Sequence, residues 1–281
     1  MIAAKYQTWV LEACKGLKAP PCLATVLYLP TSHPASVQYR DLVLKDAAKL
    51  GIRSKSLDVG SEADLLKLIE RLNQDDEVTG IMVFYPLGAK TSDEDVMDLV
   101  SPYKDVEGLH SINLGYLIKY KQFFDEPQRI KCVVPATAKG VVKLLQHYPD
   151  VKIEGSLVAI VNNSMRVGKP VGLMLENLGA TVVKCYHLTK AEVLEEAVRR
   201  ADIVITAVPD PKFQLDVSWV KPGAAVVDVS FQGNIDVSRL EGKAAYVTKP
   251  DNRIGQVTRT MTFVNLVYCA QQRELRESGV A

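Results

Sequence analysis

Apolar residues in this chain fall into short runs, and stretches with a helical repeat separate them. Runs of strand length stand at 22–29 (CLATVLYL), 79–85 (TGIMVFY), 156–161 (SLVAIV), 180–185 (ATVVKC), 202–207 (DIVITA) and 224–229 (AAVVDV). Between them, amphipathic spacing predicts helices over 34–50, 62–73, 137–148, 166–178 and 190–201. Strands joined by crossover helices imply an α/β protein whose parallel sheets are covered on both faces. Two segments break the alternation. Residues 120–136 are polar, aromatic-rich and proline-containing, and 248–257 (TKPDNRIGQV) are rich in turn formers. The pattern therefore predicts a first domain over 1–135, a second over 136–257, and a C-terminal helix, 258–281, returning to the first.

Composition narrows the class. The 281 residues are 47% hydrophobic and 24% charged, ordinary for a globular protein of this length. With 34 basic and 33 acidic residues, net charge is +1, so no excess charge points to nucleic acid or a membrane surface. The apolar runs are too short to span a bilayer. Five cysteines (Cys14, Cys22, Cys132, Cys185, Cys269) show no C-x-x-C spacing and read as reduced thiols. The four histidines (His33, His110, His147, His187) are scattered, so no metal site is expected. The N-terminus lacks a secretory apolar region and the first arginine is Arg40, which makes the cytoplasm the expected compartment.

The second half carries the clearest local chemistry. The strand at 156–161 runs into VNNSMRVGKP (161–170) and then an apolar helix. A strand, a polar turn containing Gly168 and a helix start make an anion site of free N–H groups and a positive helix end. Further βα units follow, and with them a pyrophosphate is the usual occupant. This predicts a Rossmann-like, doubly wound dinucleotide-binding domain. The turn is not G-x-G-x-x-G, and on spacing alone any βα turn remains open. About twenty residues on, where a carboxylate commonly meets the ribose, the chain reads Lys184-Cys185-Tyr186-His187, with neither that carboxylate nor an arginine.

In the first half, TSHPASVQYRDLVLKDAAKLG opens a helix after Ser32 or His33, with Pro34 in its first turn. Ser36, Tyr39 and Val43 lie along one face. A buried strand ends at Pro86-Leu87, and KDVEGL (104–109), PATAKG (135–140) and NRIGQVT (252–258) follow. In this order the motifs resemble the methylenetetrahydrofolate dehydrogenase/cyclohydrolase family over nearly the whole chain. The family patterns S-x-x-Y-x-x-x-K, V-Q-L-P-L, K-D-V-D-G, P-C-T-P-x-G, G-R-S-x-x-V-G-x-P and P-G-G-V-G-P-M-T stand here as Ser36–Val43, Val83–Leu87, Lys104–Gly108, Pro135–Gly140, Asn162–Pro170 and Asp251–Thr258. Departures are equally specific: the family lysine is Val43, the glutamine is Phe84 and the second loop carboxylate is Glu107. That set resembles the monofunctional, NAD-dependent branch.

The resemblance implies an N-terminal α/β substrate domain and a reaction. Hydride transfer from the one-carbon bridge of methylenetetrahydrofolate to a nicotinamide needs alignment and a dry site, with no proton transfer by the protein. Hydrolysis of the methenyl product needs acid–base help that Val43 and Phe84 do not offer. Lys45 stands roughly 120° round the helix from Tyr39 and Arg40 roughly 100°, so neither replaces the lysine. The resemblance assigns Tyr39 and Glu107 as catalytic. It adds Val43, Phe84, Pro86, Leu87, Asp251, Gly255 and Thr258 as substrate contacts. Thr137, Asn162, Asn163, Ser164, Arg166, Val167, Gly168, His187, Ala207 and Val208 would contact the cofactor. Asn163 stands where a family arginine can grip a 2′-phosphate, which favours NAD over NADP. Asp105 reads as structural. A homodimer through the nucleotide domain is also implied. A silent folate- or nucleotide-binding paralogue, a dehydrogenase for another reduced pterin, and a bifunctional enzyme with a relocated base are the competing readings.

Overall fold

The computed structural model describes residues 2–32, 34–248 and 254–279. The chain forms two compact units. One comprises Ala3–Ala136 with Arg259–Ala281, the other Thr137–Thr258.

The first unit is built on a parallel sheet of order β2-β1-β3, with β1 Cys22–Tyr28, β2 Arg53–Val59 and β3 Gly80–Val83. Side chains alternate across β1. Leu23 and Leu27 join a core with Val43 and Ala47 of helix α2 (Pro34–Lys49) and with Phe263, Val264 and Val267 of the last helix. Ala24 and Val26 join a second core with Leu65, Leu68, Ile69 and Leu72 of helix α3 (Glu62–Gln74). Both faces of the central strand are dry, so its sequence reads as an unbroken apolar run. Strand β2 is an edge: its RSKSLDV pattern is mostly exposed, which is why no apolar run announced it. Helix α1 (Ile2–Lys15), helix α4 (Asp93–Leu99) and helix α5 (Ser111–Ile118) complete this unit. Residues 120–136, expected to be a boundary segment, carry an antiparallel hairpin, β4 Phe123–Asp125 with β5 Ile130–Lys131. Gln272 Nε2 holds it through the Lys131 carbonyl at 2.9 Å.

The second unit holds a five-stranded, wholly parallel sheet of order β10-β9-β8-β6-β7. Its strands are β6 Leu157–Val161, β7 Thr181–Cys185, β8 Ile203–Thr206, β9 Ala225–Asp228 and β10 Tyr246–Val247. Ala159, Val161, Val204 and Val226 pack with Ala197 and Val198 of helix α8 (Ala191–Arg200). The alternate residues Val158, Ile160, Ile203 and Ile205 are equally buried, so the opposite face is covered too. Helix α6 (Ala136–Leu145) precedes the sheet, and helix α7 (Gly168–Glu176) packs against β6 and β7. The terminal helix α9, Ile254–Glu277, starts earlier than the expected 258; its first turns belong to the second unit and the rest to the first. The fold is α/β throughout, as the alternating pattern predicts. All five cysteines are free, and burial pushes their thiols above the ordinary range. No metal-binding cluster and no helix apolar enough to cross a membrane occur among the described residues.

Candidate functional site

In a parallel sheet, the crevice beyond the carboxyl ends of the strands, where the winding reverses, is the natural ligand site. Here winding leaves β6 toward β7 on one side and toward β8 on the other. Asn162, the first residue past β6, spans that reversal: its Nδ2 donates to the Ala207 carbonyl, just past β8, at 2.6 Å. Its Oδ1 accepts from Ser164 N, Ser164 Oγ and Gly168 N at 2.9, 2.8 and 2.9 Å. Ser164 Oγ in turn accepts from Val167 N at 3.1 Å. One amide therefore shapes the whole turn into helix α7, and its side-chain atoms are engaged within the protein.

Gly168 is demanded by this geometry. A Cβ there would lie 2.1 Å from the Asn162 carbonyl oxygen and 2.4 Å from its carbon, both backbone atoms. The turn is thus a cradle that admits backbone and no side chain, beside a helix N-terminus. The N–H groups of Ser164, Val167, Gly168 and Lys169 are all taken within the turn, so they are not the free donors the sequence predicts, and the helix N-terminus is the feature here that favours an anion. Asn163, Ser164, Arg166 and Val167 are half-buried around it, and Ala207 and Val208 flank it from β8. His187 follows the carboxyl end of β7 on an exposed turn, edge-on to Tyr186. Thr137 sits half-buried in the first turn of α6.

Two residues that the sequence reading missed hold the β8 side. Asn234 accepts from Val208 N at 2.8 Å and donates to Val208 O at 3.1 Å. Asp228, at the end of β9, accepts from Asn234 N at 2.6 Å and from Ser230 N at 2.9 Å. Both side chains are buried, so Val208 is fixed from behind, while Asn162 holds the Ala207 carbonyl. The signal was present as polar residues just past a buried strand, but no local spacing links Asn234 to Val208.

The first unit gathers a second constellation. Tyr39 projects from α2 and its ring meets Phe84 edge-on, centroids 6.3 Å apart at 78°. Phe84 lies just past β3. Residues 104–106 extend this side of the sheet: Ile81 N donates to Lys104 O at 2.7 Å, and Ile81 pairs with Asp105. That brings the Glu107 carboxylate into the electrostatic surroundings of Tyr39. Burial, then Glu107, then Asp46 push the Tyr39 phenol well above its ordinary range, against Arg259. Tyr39 is therefore a neutral hydroxyl that can donate a hydrogen bond.

The Glu107 loop is rigid for identifiable reasons. Asp105 is buried; its Oδ1 accepts from Glu107 N and Gly108 N at 3.1 and 2.9 Å. Its Oδ2 accepts from His110 N and Asn113 Nδ2 at 2.8 and 3.0 Å. Gly108 has φ of 73°, and a Cβ there would stand 2.4 Å from the Val134 carbonyl carbon. Lys104 donates to the Leu72 and Asp75 carbonyls at the end of α3, at 3.0 and 2.7 Å. Asn265 of α9, another residue sequence spacing could not find, donates to Val106 O and Val134 O at 2.9 and 2.8 Å.

Other assigned residues are placed differently. Val43 is wholly buried in the core with Leu23, Leu27 and Phe84. Leu87 is wholly buried on the opposite side of the sheet, and its N–H donates to Asp93 Oδ1 at 2.9 Å. Pro86 is exposed and joined to Tyr85 by a cis peptide bond. Gly255 and Thr258 lie half-buried in the first turns of α9, Thr258 against Gly140 of α6. Asp251, like His33, lies outside the described residues. Lys45 is exposed, and Arg40 pairs with Asp58, so neither stands in for an ionisable residue at position 43.

Residues 1–107 match the family model of the tetrahydrofolate dehydrogenase/cyclohydrolase catalytic domain, and residues 135–274 match that family's NAD(P)-binding domain. The bifunctional protein FolD of Francisella tularensis is 35% identical over 251 residues, covering 86% of this chain and 85% of its own. Among solved structures, the bifunctional FolD methylenetetrahydrofolate dehydrogenase/cyclohydrolase of Campylobacter jejuni superposes with a TM-score of 0.84 at 32% identity, over 96% of each chain. The NAD-dependent 5,10-methylenetetrahydrofolate dehydrogenase of Saccharomyces cerevisiae gives a TM-score of 0.88 at 24% identity, over 98% of this chain and 96% of its own, a likeness of fold. With this match across both units, the chain belongs to the tetrahydrofolate dehydrogenase/cyclohydrolase family.

Proposed function

We propose that this protein oxidises 5,10-methylenetetrahydrofolate to 5,10-methenyltetrahydrofolate with NAD, and that it lacks the cyclohydrolase step. The observation that carries the reading is the contrast between the two constellations. The turn of Asn162, Ser164 and Gly168 keeps the hydrogen bonds that shape it into helix α7, which supports a nucleotide site, whereas position 43 is a valine without exposed surface and position 84 is a phenylalanine. A bound nicotinamide supplies the hydride acceptor. The protein's part is then to align, to exclude water and to tolerate the cationic product. Tyr39, half-buried and backed by the buried Phe84, offers an aromatic face, and Glu107 offers a carboxylate that suits the pterin N–H donors and favours positive charge. Ring opening of the methenyl product requires a group that gives and takes protons near neutral pH. The Arg259 guanidinium lies 5.9 Å from the Tyr39 ring centroid, but it offers hydrogen-bond donors and no acceptor.

Asn163 supports NAD over NADP, because a short neutral amide gives a 2′-phosphate dianion no countercharge. In this reading the enzyme is a cytoplasmic homodimer joined through its nucleotide unit. The test supplies methylenetetrahydrofolate with NAD or NADP and follows reduced nicotinamide and methenyl product together, with methenyl hydrolysis measured separately. NADH formation, weaker NADPH formation and background hydrolysis are expected. Absence of reduction with both nucleotides would leave a binding protein, and hydrolysis well above background would overturn the loss of the second activity.

A further inference from the structure

Two charged residues separated by 213 positions meet beside Tyr39. Arg259 Nε donates to Asp46 Oδ2 at 2.8 Å, and both side chains are about nine-tenths buried. Asp46 lies seven residues after Tyr39, so the two stand within about 20° on one face of α2. Between them on that face is Val43. The Arg259 guanidinium carbon is 5.9 Å from the Tyr39 ring centroid, within the range of a cation–aromatic contact. The same ring meets Phe84 edge-on. Tyr39 thus has an aromatic neighbour from the sheet and a cationic one from α9.

Packing alone does not require this pair. Removing two charges from water costs about as much as their attraction returns, and apolar residues of similar volume fill such sites as well or better. Arginine suits the arrangement because its fork is planar and fixed: one N–H can be held by a carboxylate while the guanidinium remains against the ring. The guanidinium offers donors and no acceptor, so its use here is geometric.

We propose that Arg259, locked by Asp46, is a positioning residue for Tyr39 and holds the phenol in the orientation that receives the reduced pterin. The inference rests on the substrate pocket proposed above. It explains how a pocket with valine at position 43 and phenylalanine at position 84 still orients its hydroxyl.

The test uses calorimetric binding of tetrahydrofolate to the full chain, so that it does not depend on turnover. Arg259→Met is expected to weaken binding roughly tenfold, equivalent to about 1.4 kcal/mol, with NAD affinity within about twofold. The paired variant Asp46→Leu with Arg259→Met removes both charges and is expected to recover the melting temperature while keeping the weak tetrahydrofolate binding. Tyr39→Phe should add little in the Arg259→Met background, because coupled residues do not act additively. Recovery of wild-type affinity together with stability, or additive losses from Tyr39→Phe and Arg259→Met, would reduce the pair to a structural link and overturn the proposal. Wild-type protein that binds tetrahydrofolate without producing NADH would instead sink the activity and leave this inference standing.

Discussion

Single atoms decide the two sites. At Gly168 a methyl group has nowhere to go, because the obstacle is the Asn162 backbone rather than a movable side chain. Gly168→Ala should displace the turn and lower NAD affinity at least tenfold, about 1.4 kcal/mol or more, while tetrahydrofolate binding is kept. Calorimetry with each ligand reads both, and unchanged NAD affinity would move the cofactor elsewhere. Val43 makes the complementary point. Restoring a lysine there would bury an ammonium among Leu23, Leu27 and Ala47. Val43→Lys should lose about 3 kcal/mol or more by urea unfolding, without methenyl hydrolysis rising above background. An active, stable variant would show that methenyl hydrolysis is within one substitution of this pocket. What the sequence shows at this scale is residue identity: Val43 and Phe84 are legible as departures. Their burial, and the arrival of Arg259 from a distant helix, are not.

At the scale of elements, legibility follows apolar density. The strands buried on both faces, such as β1 and β6, stand out as runs and end within a residue or two of their expected limits. Strand β2 alternates charge and serine along an exposed edge, and the short helices α4 and α5 span too few turns to show a period. The hairpin of β4 and β5 hides in a polar stretch because its strands are only three and two residues long. The Glu107 loop illustrates the same limit. The KDVEGL motif marks a loop, yet what fixes it is a set of four donors converging on Asp105. Asparagine at 105 keeps one acceptor oxygen and turns an N–H₂ group toward donors that need an acceptor. Asp105→Asn should therefore cost about 2 kcal/mol and weaken tetrahydrofolate binding by loosening Glu107. Urea unfolding and calorimetry check the two parts, and an unaltered ligand affinity would separate the loop from the pocket.

For the whole molecule, charge nearly balances at +1, so acid lability should arise from particular carboxylates and not from general repulsion. Each unit contains carboxyls held below their ordinary range. The Lys221 ammonium and the Leu157 N–H lower Asp202 from 3.8 in the second unit. The Lys55 ammonium lowers Asp75 from 3.8, and the Thr91 hydroxyl and N–H lower Glu62 from 4.5, in the first. A lowered folded value means that the unfolded chain takes up protons first. Stability from these groups is complete above their ordinary values and is lost as pH falls through them toward the folded values. Because Asp202 is about half exposed, solvent screening keeps its share small. The two tryptophans fall one in each unit: Trp9 lies edge-on to Tyr268 in the first, and Trp219 packs on the α8 side of the sheet in the second. Trp9→Phe then leaves a reporter for the nucleotide unit alone. Urea unfolding of that variant should be insensitive to pH from about 7 to 5 and weaken from about 5 to 3. Adding Asp202→Asn should flatten the slope by a modest fraction. Were the slope unchanged, Lys221 and Leu157 would not be holding that carboxylate charged. Were stability to rise on acidification, groups of that unit held above their ordinary range would outweigh Asp202.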